Sequence, residues 1–116
     1  MNKLKKSKNQ ISFIEFQKSD IDLLREKYLE LVNIDLPGKS QKYHWPIKNN
    51  HCFGRIILDN VFGMCWYDAI GKSSKPAYLR LTISQLHEAI AIAESLHETI
   101  SDLNTKSLVW RGKKSR

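Results

Sequence analysis

The sequence predicts an all-α protein, a small single-domain bundle of three to five helices with disordered basic termini. Apolar residues recur at spacings of three and four in several segments, which is typical of amphipathic helices. Residues that favour helix starts precede these segments, and apolar residues come in clusters rather than in strand-like alternation. With 116 residues, of which 41% are hydrophobic, the chain can bury a core without disulfides or a structural metal.

We divide the chain into a basic arm at residues 1–10, one helical domain at residues 11–110 and a basic tail at residues 111–116. Residues 1–8 contain four lysines, and the tail contains four arginines and lysines. Neither end has the apolar content that folding requires, so both are expected to be disordered.

The first helix is predicted to begin after Ser19, whose hydroxyl suits an N-cap and which acidic residues follow. Its apolar face has helical spacing and consists of Ile21, Leu24, Tyr28, Leu31 and Val32. Because Pro37-Gly38 indicates a turn, the helix is expected to end near Asn33 or Ile34, with a loop over residues 35–49.

A second helix is predicted over residues 51–62, capped by Asn49 or Asn50 and ended by Gly63 in the left-handed conformation. A hairpin that turns at Asp59-Asn60 is the alternative. The clustered apolar residues favour the helix. A short helical turn is expected over residues 66–70, followed by a loop over residues 71–76.

The last long helix is predicted over residues 82–100, because Thr82 and Gln85 have the spacing of a capping box. Its apolar stripe consists of Ile83, Leu86, Ile90, Ala93 and Ile100. A short closing helix is expected over residues 102–110.

Charge is unevenly distributed along the chain. Residues 36–80 hold seven basic and two acidic residues, whereas residues 9–35 and 81–110 are acidic overall. A basic centre between acidic arms indicates a localised anion site. The alternative is that the basic tails only promote solubility.

His51, Arg55 and Asp59 are spaced four residues apart, so on a helix they form a single polar stripe among apolar neighbours. Two interpretations remain open. In the structural one, Arg55 and Asp59 form an ion pair that braces the helix. In the functional one, Arg55 binds a phosphate or carboxylate, Asp59 orients it, and His51 supplies a proton or a hydrogen bond.

Aromatic and basic residues alternate in the middle of the chain, as they do in proteins that stack bases and neutralise phosphates. The predicted ligand-binding residues of this segment, besides the polar stripe, are Trp45, Tyr67, Lys72, Lys75 and Arg80. Core packing is the alternative role for any of its aromatic residues.

The sequence predicts neither a metal site nor a cofactor. His44, His51, Cys52 and Cys65 are suitable zinc ligands, but their spacing matches no zinc motif. Two cysteines do not make a disulfide framework, and no apolar run is long enough to cross a membrane. These features predict a cytoplasmic protein with no membrane partner.

Several short blocks of residues 43–111 resemble a group of short, uncharacterised microbial proteins that have the same blocks in the same order. In this sequence the blocks are His51-Cys-Phe-x-Arg55-Ile, Asp59-Asn60, Gly63, Trp66, Lys75-Pro-Ala-Tyr78 and Ser107-Leu-x-Trp110-Arg111. That group has no established activity, so the resemblance implies no catalytic role for any residue.

The leading hypothesis is a binding protein that holds a polyanion, RNA or DNA, through its basic and aromatic middle. The first alternative is an enzyme that acts on a small phosphorylated or carboxylated metabolite anchored by Arg55. The second is a non-catalytic interaction module whose partner surface is the helix over residues 82–100.

Overall fold

The computed structural model describes residues 19–112, and most of them are helical. Its elements are α1 (Asp20–Glu30), a π-helical turn (Leu31–Asp35), α2 (Leu36–Tyr43), α3 (Asn50–Phe62), α4 (Trp66–Ile70), a 3-10 turn (Ala77–Leu79), α5 (Ile83–Glu94) and α6 (Leu96–Trp110). Because α1, the π-helical turn and α2 are continuous, residues 19–112 contain five helical segments and no strand. The predicted all-α bundle is confirmed, and the predicted arm at residues 1–10 lies outside the described residues.

The first helix does not end near Asn33 or Ile34 as predicted, and most of the expected loop over residues 35–49 is helical. The π-helical turn widens the backbone, so that the amide of Leu36 donates to the carbonyl of Leu31, five residues earlier. Pro37 then falls in the first turn of α2, where a missing N–H costs little. The proline therefore continues the helical segment instead of ending it.

The second predicted helix is confirmed as α3, and the hairpin alternative is excluded. Gly63 ends it with φ 68°, in the left-handed region that glycine adopts without a steric penalty. The short helix expected after it is α4. Asn49 precedes α3 but makes no side-chain cap bond, and the amide of His51 is instead bound by Asn50 Oδ1 at 2.9 Å.

The predicted capping box is present at the start of α5, with Thr82 and Gln85 joined by two reciprocal hydrogen bonds of 2.9 and 3.1 Å. The predicted extent of this helix is wrong, because it ends at Glu94. Ser95 leaves the helical conformation and donates its hydroxyl to the carbonyl of Ile92 at 3.2 Å. Serine competes with the helix for backbone hydrogen bonds in this way. The closing helix α6 is consequently longer than the expected residues 102–110.

The core is centred on α3, whose side chains Phe53, Ile56 and Ile57 are fully buried. This helix packs against both α5 and α6, while α1 packs along α5. The remaining edge of α3 faces α1, the 3-10 turn and the end of α6. No helix between residues 19 and 112 has the length and apolar character needed to cross a membrane.

Candidate functional site

A cleft of about 510 Å³ lies along the open edge of α3. Its walls come from four parts of the chain: the first helical segment, α3, the region from α4 to the 3-10 turn, and the residue after α6. The lining residues are Tyr28, Val32, Asn33, Asn50, His51, Gly54, Arg55, Leu58, Trp66, Tyr67, Pro76, Ala77, Tyr78 and Arg111.

Asp59 lies behind the cleft, fully buried, and its carboxylate accepts hydrogen bonds from three residues. Arg111 donates through Nε at 2.6 Å and Nη2 at 3.1 Å. The Ser107 hydroxyl donates at 2.6 Å, and the backbone amide of Trp66 donates at 2.9 Å. The hydrogen bond to Asp59 raises the pKa of Arg111 above its ordinary value. Both oxygens of Asp59 are therefore occupied, and neither faces the cleft.

The predicted ion pair between Arg55 and Asp59 is wrong. Arg55 donates instead to two neutral oxygens of α6, through Nη1 to Ser107 Oγ at 2.9 Å and through Nη2 to Asn104 Oδ1 at 2.8 Å. Within residues 19–112, no carboxylate pairs with this guanidinium. Arg111, assigned from sequence to the basic tail, takes the place expected for Arg55 because the end of α6 brings it to the buried carboxylate.

Ser107 connects the two arginines. Its hydroxyl carries one hydrogen, which it donates to Asp59, and its lone pairs remain available to accept from Arg55. The buried carboxylate thus orients the hydroxyl, and the hydroxyl orients Arg55 towards the cleft. The position of the Arg55 guanidinium depends on α6 rather than on its own helix.

We expect Ser107→Ala to lower the free energy of unfolding by about 1–3 kcal/mol, because a buried carboxylate and a guanidinium each lose a partner. Urea denaturation would measure the change. Thr105→Ala is the matched control, since Thr105 is exposed on the same helix and bonds only to the carbonyl of Ser101. Equal losses in the two variants would contradict the bridging role.

The structure brings three of the predicted site residues together at the cleft: His51, Arg55 and Tyr67. Lys72 lies beside them, with its ammonium 5.1 Å from the centre of the Tyr67 ring. Trp45 does not line the cleft. It is 8% exposed and packs edge-on against Phe53, because the chain after α2 turns back onto the core.

Lys75 and Arg80 also lie outside the lining of the cleft. Lys75 is exposed. Arg80 donates to the carbonyls of Ile70 and Gly71 and so binds the end of α4. Its guanidinium is used within the fold.

Sequence reasoning missed Arg111, Ser107 and Asn104, which hold Asp59 and Arg55, and it missed Tyr28, Asn33 and Asn50 in the lining of the cleft. A signal for two of them existed, because Ser107 and Arg111 are four apart and share a face of α6. Tyr28 was assigned to the apolar face of the first helix, and it is indeed buried. Tyr28 nevertheless lines the cleft, and its hydroxyl lies beside Gly54, another lining residue.

The cleft is electropositive. Two arginines line it and no aspartate or glutamate does, while the buried Asp59 is bound to Arg111. The charge of Arg55 is thus left without a counter-charge from the described residues. At the far end, Asn50 donates to Asn33 at 2.9 Å and ties α3 to the π-helical turn, so this end is polar and neutral.

A second concavity, of about 600 Å³, runs along α1. Its charged lining consists of Glu26, Lys27 and Glu30, between aliphatic residues. Two carboxylates against one ammonium do not favour an anion. The cleft beside α3 is therefore the better candidate for a ligand site.

Within residues 19–112, no group of three or more His, Cys, Asp or Glu side chains could hold a metal ion. Cys52 and Cys65 are free thiols, the first partly buried and the second buried. Comparison with known proteins finds no similarity: no family model matches, nor does any curated protein or solved structure.

Proposed function

We propose that this protein binds a small organic anion, a phosphate ester or a carboxylate, in the cleft beside α3, with Arg55 as its charged contact. One observation carries the proposal. Arg55 is held by two neutral oxygens, has no carboxylate partner in the described chain, and borders a cleft without acidic residues. A guanidinium so placed is stabilised by an anion that the fold does not supply.

The donors of Arg55 support this role. A guanidinium has five N–H groups, of which two bind Ser107 and Asn104. Its Nε has no partner, yet it is not sealed from solvent, since the only buried and unpartnered side-chain nitrogen of the described residues belongs to Arg25. Nε and Nη2 form the edge that binds an oxyanion with two parallel bonds. Arg111 uses the same edge for Asp59.

A small ligand accounts for the geometry better than a polynucleotide. Single-stranded nucleic acid needs a surface along which exposed aromatic rings and cations follow one another. Here Trp45 is in the core, Arg80 binds backbone carbonyls and Lys75 lies apart from the cleft. The volume of about 510 Å³ is instead within the range of small-molecule sites.

The test is a titration of the full-length, ¹⁵N-labelled protein with benzoate, phenyl phosphate and a single-stranded oligonucleotide, followed by NMR. We expect the small anions to shift amide signals of α3 and the 3-10 turn that borders the cleft. Binding of the oligonucleotide alone, with shifts around Lys72 and Lys75, would contradict the proposal and support the polyanion hypothesis. Absence of binding by all three probes would also contradict it.

A further inference from the structure

We infer that the anionic group of the ligand is a phosphoryl group, and that the Tyr28 hydroxyl binds it across the face of Gly54. This inference rests on the proposed function, because it assumes that Arg55 holds an anion in the cleft. It adds a donor from another helix and narrows the chemical class of the ligand to phosphate esters.

The Tyr28 hydroxyl is placed to meet a ligand. The residue is 4% exposed and lines the cleft, yet its hydroxyl makes no hydrogen bond within residues 19–112. It is not among the side-chain atoms sealed off without a partner, and Tyr28 borders no other concavity than the cleft among those found in the described chain. A ligand oxygen in the cleft would give this nearly buried hydroxyl the hydrogen bond that the described fold does not supply.

Gly54 gives the ligand access to this hydroxyl. A Cβ built on Gly54 would lie 3.7 Å from the Tyr28 oxygen, so the bare backbone of α3 leaves room directly beside the hydroxyl. Tyr28, Gly54 and Arg55 all line the same cleft, so one ligand in it can reach both the hydroxyl and the guanidinium. Glycine in a helix interior lowers helix stability, and an open path to Tyr28 is a reason for its presence here.

The hydroxyl acts as a donor. Burial raises the pKa of Tyr28 above its ordinary value, because desolvation disfavours the phenolate. At neutral pH the group therefore carries its hydrogen and complements an anionic oxygen rather than a cation.

The number of donors favours a phosphoryl group over a carboxylate. Arg55 offers its Nε from α3, Tyr28 its hydroxyl from α1, and Arg111 its Nη1 from the end of α6, and none of these three groups has a hydrogen-bond partner in the described chain. Donors from three elements need acceptor oxygens that point in several directions. A phosphate ester has three terminal oxygens arranged tetrahedrally, whereas a carboxylate has two in one plane.

Two variants of the full-length protein test the inference, with affinities for phenyl phosphate and benzoate measured by the NMR titration. Tyr28→Phe should lower the affinity for phenyl phosphate about tenfold, which is the contribution expected of one hydrogen bond to a charged group. Its affinity for benzoate should be nearly unchanged. Gly54→Ala should weaken the binding of phenyl phosphate similarly, because its methyl group would fill the space beside the hydroxyl that the ligand oxygen needs. A methyl at 3.7 Å is in ordinary contact and alanine favours the helix, so this variant should be at least as stable as the native protein.

The double variant Tyr28→Phe with Gly54→Ala should lose no more affinity than either single one, because both changes remove the same bond. Unchanged affinity of Tyr28→Phe for phenyl phosphate, with binding still dependent on Arg55, would overturn this inference and leave the proposed function standing. An equal loss for benzoate would overturn the phosphoryl assignment. If the native protein binds neither compound, the proposed function itself fails.

Discussion

Asp59→Ala is expected to lower the free energy of unfolding by about 3–5 kcal/mol, the range typical of removing one member of a buried ion pair. The carboxylate is fully buried and accepts four hydrogen bonds from three residues. Its loss leaves the Arg111 guanidinium, the Ser107 hydroxyl and the Trp66 amide without an acceptor. Because these groups belong to α4 and α6 and to the end of the described chain, the change also loosens the packing of α6 on α3.

Urea denaturation followed by circular dichroism would measure this effect. Asp102→Ala is the matched control, because Asp102 is exposed and forms only a surface pair with Lys106 on α6. We expect that control to change the free energy of unfolding by less than about 1 kcal/mol. A similarly small loss in Asp59→Ala would mean that the buried network contributes little and that other contacts hold α6.

A combined replacement separates the role of the charge from that of the packing. In Asp59→Ala, the partly buried Arg111 guanidinium has no carboxylate partner. Replacing Arg111 with methionine in the same protein removes this unpaired cation. We therefore expect Asp59→Ala with Arg111→Met to be more stable than Asp59→Ala alone.

The elements that the sequence predicted correctly are those with local causes. The N-cap at Ser19, the capping box of Thr82 and Gln85, and the left-handed Gly63 each depend on residues within one helical turn. Their geometry does not depend on the rest of the fold. Spacing along the chain was sufficient to place them.

The errors concern features that tertiary structure decides. Pro37 has the signature of a helix end, but the π-helical turn before it removes the conflict with the helix. That turn packs on α3 and α5, which no local pattern reveals. The break at Ser95 is of the same kind, since serine also occurs inside helices and only packing decides which conformation it adopts.

The site was predicted in part for the same reason. His51 and Arg55 lie on one face of one helix, so their common place at the cleft followed from spacing. The partner of Asp59 could not be predicted from spacing, because Arg111 is 52 residues away along the chain. Arg55, four residues before Asp59, was the closer cation in the sequence. A buried carboxylate pairs with whichever cation the tertiary structure places beside it, however far apart the two residues are in the sequence.

Arg55→Gln is expected to have the largest effect on ligand binding and to lower the affinity for phenyl phosphate about 30-fold or more. Truncating one partner of a hydrogen-bonded charge pair costs about 2–5 kcal/mol of binding free energy, and about 1.4 kcal/mol corresponds to tenfold. Glutamine can still reach α6, but it has no charge and no two-donor edge for an oxyanion. Titration of the full-length variant, with its NMR spectrum as the check that it is folded, measures the loss.

Lys75→Gln is the matched control, since it removes the same charge at an exposed position close in sequence to the cleft wall but outside its lining. Its affinity for phenyl phosphate should stay within about twofold of the native value, because screening weakens a distant exposed charge. Arg55→Lys keeps the charge but removes the planar guanidinium. If a point charge were sufficient, this variant would bind phenyl phosphate as tightly as the native protein, whereas a two-donor contact predicts an affinity between those of the native protein and Arg55→Gln. Equal losses in Arg55→Gln and Lys75→Gln would instead indicate attraction by net charge alone, without a specific site at Arg55.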